Sequence, residues 1–308
     1  MTAAAVLVAA ALDAAVREPP LAVHPVRITG RYLAAAQRWL RPDPPARAIV
    51  SGGVAWGIGA ASAAAFGLAV ERWAGNRSRR SAAALVLGLG LWPLFSHRML
   101  LDEVAGVEAA LAESVEAGRT TVARIVSRDG SHLSGPQVRA AAIESLAENM
   151  SDSVVAPLLW FAIGGLPAAA IYRFANTADA CWGYRTPQWL HAGRVAARAD
   201  DVMNLLPARL TAVLLADWTV PWTKLRPEAR KTPSPNAGWP MAALALRFGV
   251  RLDKPGSYTL NPGGRAPEPV DTMAALRLAR WRGWLMIGLA AMAAGARSRR
   301  ARRPWCRR

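Results

Sequence analysis

Cysteine is nearly absent. Cys181 and Cys306 are the only two in 308 residues, which excludes a disulfide framework and any CxxC metal site and leaves a core thiol and a tail thiol. Lysine is scarce as well: Lys224, Lys231 and Lys254 are the full set, and none follows a GxxxxG loop, so a Walker A nucleotide site is excluded. The four histidines, His24, His97, His132 and His191, have no metal-ligand spacing, and HExxH, GxSxG and a strand-to-helix GxGxxG are all missing. Charge is thin too, at 19% of residues against 53% hydrophobic. With several uncharged runs close to bilayer length, that balance is the signature of a membrane protein.

The net charge of +17 would point to nucleic acid only if it lay on one soluble face. Instead seven arginines (Arg297, Arg299, Arg300, Arg302, Arg303, Arg307 and Arg308) crowd the last twelve residues, directly after an apolar stretch. Lys and Arg are retained on the inner side of a membrane, so this tail reads as a cytoplasmic anchor, with no nucleic-acid partner.

Residues Ala48 to Val70 carry no charge over 23 positions, enough for the ~30 Å hydrocarbon core at ~1.5 Å per residue. Inside this run Gly53 and Gly57 form a GxxxG pair that would admit a neighbouring helix. Ser81 to Ser96, interrupted by Pro93, and Ser153 to Tyr172, with Pro157 and Pro167, are further candidates with kinks. Leu205 to Trp222 is apolar apart from Arg209 and Asp217, and Gly283 to Ala296 is apolar but short unless Trp281 and Trp284 sit at the interface. Met1 to Leu12 lacks the basic start of a signal peptide and reads as the beginning of a first membrane or interfacial helix.

Between these runs, Arg98 to Asp152 repeats Val104, Val107, Leu111, Val115, Val122 and Ile125 at helical spacing, which predicts amphipathic helices outside the hydrocarbon. Pro136 is placed to open another helix. Pro221 to Pro269 is dense in Pro and Gly and predicts an ordered loop or lid. The predicted fold is all-α: a polytopic helical membrane protein, one domain over residues 1–308, with about four to five membrane helices and a basic tail over 297–308.

Four polar constellations stand out. Glu144, Glu148 and Asp152, spaced by four, fall on one helical face with Asn149 beside them. Asn176, Thr177 and Asp179 follow the apolar run. Asp200, Asp201 and Asn204 form a DDxxN whose oxygens suit Mg²⁺ shared with substrate phosphates. Arg194, Arg198 and Arg209 flank it, placed to hold phosphate or to pair with the aspartates. Lys231, Thr232 and Ser234 to Gly238 make a stiff polar loop that is either an anion cradle or an ordinary turn. His24-Pro25-Val26-Arg27 is a weaker fifth, and a histidine before proline is more often a cap than a ligand.

The blocks Glu148-Asn-Met-Ser-Asp152 with Pro157, Asn176-Thr-Ala-Asp179 with Gly183-Tyr184-Arg185, Ala197-Arg198-Ala-Asp200-Asp201-Val-Met-Asn204 with Pro207 and Arg209, and Ser234-Pro-Asn236-Ala-Gly238 resemble the signatures of the CobD/CbiB family. His24-Pro-Val with Gly30, and Arg128-Asp129, also stand in the family's order, and the likeness covers about residues 13–260. What the resemblance implies is an ATP-driven amide synthase of cobalamin biosynthesis in the bacterial inner membrane. It would join adenosylcobyric acid to (R)-1-amino-2-propanol O-phosphate or a close analogue, with other enzymes of the pathway as candidate partners. On that reading Glu148, Asp152, Asp200 and Asp201 hold Mg²⁺ and through it ATP. Arg198, Arg209, Lys231, Ser234 and Gly238 bind phosphates, while Asn149, Asn176, Asp179, Asn204 and Asn236 orient substrate or the metal's surroundings.

One position departs from the family pattern. After Gly238-Trp239-Pro240 the family usually places a glutamate, and here Met241 stands. Topology adds a second tension. The loop Glu71 to Arg80, with four arginines, is expected on the cytoplasmic side together with the tail. If Ser81 to Ser96 crossed, Glu148 would fall on the side away from ATP, so the simplest arrangement keeps that run from crossing. Two rival readings share part of the pattern. A membrane prenyltransferase also holds Mg-diphosphate on aspartate-rich helices but usually needs two DDxxD-like motifs, and an AmpE-like membrane sensor would keep the polar blocks as structure.

Overall fold

The computed structural model describes residues 2–40, 44–216 and 218–300; Asp217 and the tail beyond Arg300, with Cys306, lie outside the described residues. The described chain is almost entirely helical. It runs through α1 (Thr2–Val16), α2 (Pro25–Gln37), α3 (Pro45–Gly75), α4 (Arg80–Leu91), α5 (Arg98–Glu113), α6 (Val115–Val122) and α7 (Gly135–Asn149). It continues with α8 (Ala156–Trp182), α9 (Trp189–Ala192), α10 (Arg194–Met203), α11 (Leu205–Ala216), α12 (Trp222–Ala229) and α13 (Gly238–Phe248). A short antiparallel hairpin, β1 (Leu252–Lys254) and β2 (Tyr258–Leu260), precedes α14 (Pro269–Arg300).

Among the described residues, three helical runs are long and apolar enough to cross a membrane: Pro45–Gly75, Arg80–Glu113 and Gly135–Trp182. Thr2–Val16 and Leu205–Ala216 are shorter apolar helices. The protein is therefore a helical membrane protein, as its composition predicts. Ser81 to Ser96 turns out to belong to a longer run than its own 16 residues, because the helix continues past Leu91 into a 3-10 turn over Trp92–Leu94 in place of stopping at Pro93. By length and composition that run is a candidate to cross, against the arrangement that kept it out.

The chain gathers into two compact units. The first comprises Met1–Ser96, Ala156–Met203 and Met286–Arg308; the second comprises His97–Val155 and Asn204–Leu285.

In the first unit α3 lies along α8, α1 packs on α4, and α2 and α10 also pack on α8. The Gly53/Gly57 pair does not make the close approach: nothing lies near Gly57, and Gly53 has only Val195 Cγ2 within reach of a Cβ. Gly52, Gly59 and Gly67 make it instead, where a Cβ would strike the Ala192 carbonyl, the Phe174 ring and the Pro167 backbone. Their spacing of seven and eight keeps them on one helical face, which a GxxxG search misses. Leu33, Ala60, Phe174, Ala178, Trp182 and Ala196 form the buried core beneath this face. Trp182 and Trp189 stack at 5.6 Å.

At the other end of the unit's first loop, His24 caps α2 by accepting the Val26 N–H on Nδ1. That leaves the imidazole proton on Nε2, which faces Glu18 Oε2 at 3.3 Å. The hydrogen bond from His24 holds the Glu18 carboxyl below the usual carboxylate range. The histidine of the His24-Pro-Val block is thus a helix cap locked by an acid.

α8 is broken in its middle. Gly165 adopts φ 75° and ψ −162°, a region that only glycine enters without strain. The second half of the helix restarts at Leu166, whose N–H donates to Glu71 Oε1 at 2.9 Å, and Pro167 follows at a position where its missing N–H costs nothing. A Cβ on Gly165 would strike that same carboxylate and crowd the Arg297 guanidinium. Gly165→Ala is expected to lower stability in detergent by about 1–3 kcal/mol from the backbone alone. Glu71→Gln, which keeps an acceptor for Leu166, is expected to cost less. Thermal unfolding of the two variants checks the order.

In the second unit α5 packs on α6 and α7, and α7 also meets α13 and β1. Val104, Val107 and Val122 are buried, as the amphipathic spacing predicts. Pro136 opens α7 behind a Ser134/Gln137 capping box. The Arg139 guanidinium ties α7 to Glu108 on α5 at 2.9 Å. The Pro/Gly-rich stretch is not a loop throughout. α13 is a buried helix from Gly238 to Ala245, because its Ala and Leu residues favour helix and Pro240 falls in the first turn. The hairpin follows, turning at Gly256 with φ 74°.

Candidate functional site

The polar blocks divide between the two units. In the first unit Asn176 and Asp179 lie one turn apart on the second half of α8, and Asp200 and Asp201 on α10, which packs against it. Asn176 Nδ2 donates to Asp200 Oδ1 at 3.2 Å, so two separate sequence blocks meet directly. Asp201 faces Arg198 at 3.9 Å, a guanidinium that is itself 79% exposed. Burial pushes the Asp201 carboxyl up, with Arg198 and Arg185 pulling the other way. An anionic Asp201 is thus stabilised by any further cation brought to it. Gly183, just past α8, gives its N–H to the Asp179 carbonyl, and a Cβ there would strike Asp179 Oδ1.

In the second unit Glu144, Glu148 and Asp152 are not three equivalents on one face. Glu144 is buried, with 5% of its surface exposed, and its Oε2 accepts from Arg128 Nη2 at 2.7 Å. Glu148 is exposed, whereas Asp152 is half-buried in a six-residue π-helical turn over Met150–Val155. The wider i→i+5 winding breaks the four-residue register that the sequence implies, and such turns recur at functional sites. Asn149 folds back on its own helix, donating to the Ser145 carbonyl at 2.9 Å.

The structure adds Tyr258, which no local pattern marks. It arrives from β2, and its hydroxyl lies between Glu144, with which it shares a hydrogen bond, and Met241 Sδ at 3.7 Å. Burial drives the phenol far above the ordinary tyrosine range, and the charges of Glu144 and Glu148 push the same way, so it stays a proton donor. Arg128 Nη1 also donates to the Asp253 carbonyl at 3.3 Å, which ties the hairpin to the pair. Met241, 2% exposed, therefore stands against the half-buried tyrosine that also meets the Glu144 of the Arg128 pair.

The loop before α13 is also built around specific partners. Arg209 on α11 donates to Asn236 Oδ1 and, at 3.0 Å, to the Pro235 carbonyl. Its guanidinium carbon stands 4.8 Å from the Trp239 ring centre, and Trp239 packs on Trp222 at 4.8 Å. Ser234 Oγ accepts the N–H groups of Asn236 and Ala237 at 3.2 and 3.1 Å. Those amides are therefore engaged within the turn. Gly238 starts α13 where a Cβ would strike the Ala229 carbonyl. Lys231 pairs with Glu228 at 2.6 Å, and Asn204 is buried at the head of α11.

Among the described residues no three His, Cys, Asp or Glu side chains gather as a metal-holding group. Asn176 and Asp200 meet directly, with Asp201 next in the chain, while Glu148 and Asp152 belong to the second unit.

A helical membrane protein with an acid and asparagine cluster in one unit and an arginine-carboxylate pair in the other is the class that fold and site define. A family model described as CobD/Cbib protein matches residues 6–299. The chain is 37% identical over 305 residues to a cobalamin biosynthesis protein CobD of Brucella anthropi, covering 90% of this chain and 92% of that one. It is 38% identical over 303 residues to a cobalamin biosynthesis protein CobD of Chromobacterium violaceum, covering 93% and 95%. A probable cobalamin biosynthesis protein CobD of Methanothermobacter thermautotrophicus is 36% identical over 262 residues, 82% of this chain and 85% of that one. No solved structure matches. The chain belongs to the CobD/CbiB family, a family of cobalamin biosynthesis.

Proposed function

We propose that this protein is the amide synthase that joins a carboxylate of adenosylcobyric acid to the amine of (R)-1-amino-2-propanol O-phosphate, or a close analogue, to give adenosylcobinamide phosphate. The observation that carries the reading is the meeting of Asn176 and Asp200, with Asp201 and its two arginines alongside. Two of the blocks that resemble the family's signatures thereby form one oxygen-rich cluster.

A carboxylate is a poor acyl donor. Transfer of the terminal phosphoryl group of ATP to its oxygen makes an acyl phosphate. The amine then attacks the carbonyl carbon, forming C–N as C–O breaks, and inorganic phosphate leaves with ADP as the other product. Mg²⁺ offsets phosphate charge in such a step and is commonly held by one or two carboxylates, with phosphate oxygens and water completing its shell. Asp200 and Asp201 fit that demand in the first unit, and Glu148 and Asp152 offer a second pair of carboxylates in the other. Arg209, fixed by Asn236, Pro235 and Trp239, is preorganised to meet a phosphate without losing side-chain freedom on binding. Trp222, exposed and backed by the buried Trp239, offers flat surface to the corrinoid ring.

The test is turnover by detergent-purified protein given adenosylcobyric acid, aminopropanol phosphate, ATP and Mg²⁺, with the corrinoid read by mass. The expected result is a gain equal to the amine less water, dependent on ATP and Mg²⁺. No product beside an active family control would overturn the reading in favour of a membrane sensor, and diphosphate released from a prenyl donor would favour the prenyltransferase.

Met241→Glu addresses the departure from the family pattern. Tyr258 already has a carboxylate partner in Glu144, so the rate is expected to stay within about threefold. The new buried acid, short of a partner, is expected to cost about 1–3 kcal/mol in unfolding. A tenfold rise in turnover would instead show that the thioether is limiting activity.

A further inference from the structure

One groove of the second unit belongs to none of the clusters above. It has a volume of about 600 Å³ and is lined by Arg247 near the end of α13 and by one face of α14. On that face Arg277, Leu278, Trp281, Arg282 and Leu285 follow the i, i+1, i+4, i+5, i+8 spacing of neighbouring helical positions. The described residues lining it include three guanidinium groups and no acid. Arg247 Nη1 donates to the Leu215 carbonyl at 3.1 Å, which aims its side chain. The acid in the first turn of α14, Asp271, is taken up by Arg265 at 2.6 Å.

The lining is as apolar as it is cationic. Trp281 is 77% exposed and Leu285 44%, large apolar side chains left uncovered in the same groove as the arginines. α14 then runs without interruption into the uncharged stretch Gly283–Ala296. Tryptophan and arginine at the end of an apolar helical stretch are the arrangement found at the headgroup level of a bilayer. A soluble anion would use the guanidinium groups and leave the tryptophan and leucines in water. A lipid uses both, with its phosphate on the arginines and its glycerol and first acyl carbons on Trp281, Leu278 and Leu285.

We propose that this groove is a binding site for the headgroup of an anionic phospholipid. Its lining shares no residue with the acid, asparagine and loop clusters assigned to the reaction.

The experiment measures lipid retention on the purified full chain by native mass spectrometry, titrating phosphatidylglycerol and phosphatidylcholine separately. Phosphatidylglycerol is expected to bind at least tenfold more tightly, and Arg277→Gln with Arg282→Gln together to remove that preference. Leu278→Glu, which adds an acid and keeps both arginines, is expected to do the same and guards against a folding defect in the double variant. Arg79→Gln with Arg80→Gln, a charge-matched change outside the groove, is expected to leave the preference intact. Equal retention of the two lipids overturns the proposal. So does an equal loss in the Arg79/Arg80 variant, which would mean diffuse attraction, and so does competition by glycerol 3-phosphate at the concentration of the lipid, which would assign the groove to a soluble phosphate.

Discussion

Asp201→Asn and Glu148→Gln, each in folded detergent-purified protein, are expected to lower amide synthesis by about 10²–10³-fold, the scale of losing one preorganised electrostatic partner. Both changes keep the shape of the side chain and remove only its charge. Glu148 is exposed and Asp201 only partly buried, so neither substitution opens a cavity, and unfolding temperatures should stay near that of the parent. Burial already holds the Asp201 carboxyl above its ordinary range. A proton competes with Mg²⁺ for that anion, so at sub-saturating Mg²⁺ turnover should fall on acidification and recover with added Mg²⁺, and Asp201→Asn should abolish that dependence. Steady-state rates over a pH series check both statements. Full activity in the two variants would remove these residues from the reaction and with them the metal assignment.

How much of this was legible in the sequence depends on the range of the interaction that fixes each feature. Local patterns carried far. The uncharged stretch of α3, the valine spacing of α5 and α6, and Pro136 at the head of α7 all follow from rules that act within a few residues. The break in α8 was half legible. Pro167 announces a kink, but the positive φ falls at Gly165, where Glu71, distant in sequence, caps the restarted helix. The glycines that let α3 meet α8 and α9 were present in the sequence but spaced by seven and eight, so a GxxxG search chose the wrong ones.

The candidate site divides in the same way. Acids and asparagines in short blocks are visible as strings, and the contact of Asn176 with Asp200 is the meeting of two such strings. Their environment is not visible. The π turn at Met150–Val155 shifts Asp152 out of the register that equal spacing implies, and burial separates Glu144 from Glu148 although they lie four residues apart. Tyr258 could not be found at all from its neighbours, because its role comes from a hairpin folded onto a helix more than a hundred residues earlier in the chain.

Arg128→Ala is expected to give the largest loss of stability, up to about 3–5 kcal/mol at a pH where Glu144 stays ionised and less once it takes up a proton, because it leaves the buried carboxylate without its cation. The two side chains are 12% and 7% exposed and meet at 2.7 Å, so water cannot replace the guanidinium. The same substitution releases the Asp253 carbonyl and with it one tie between the hairpin and α7. Tyr258 remains as a single neutral donor to Glu144, which softens the loss without cancelling the charge. Two further measurements separate this account from mere loss of packing. Arg128→Met combined with Glu144→Leu should recover most of the stability, since removing both charges also removes the desolvation they cost. Lowering the pH should narrow the gap between Arg128→Ala and the parent, because a protonated Glu144 no longer carries an uncompensated charge. Thermal unfolding in detergent reads all three variants, and an Arg128→Ala protein within about 1 kcal/mol of the parent, well under the cost of orphaning a buried charge, would show that the pair is not what holds α7 and the hairpin together.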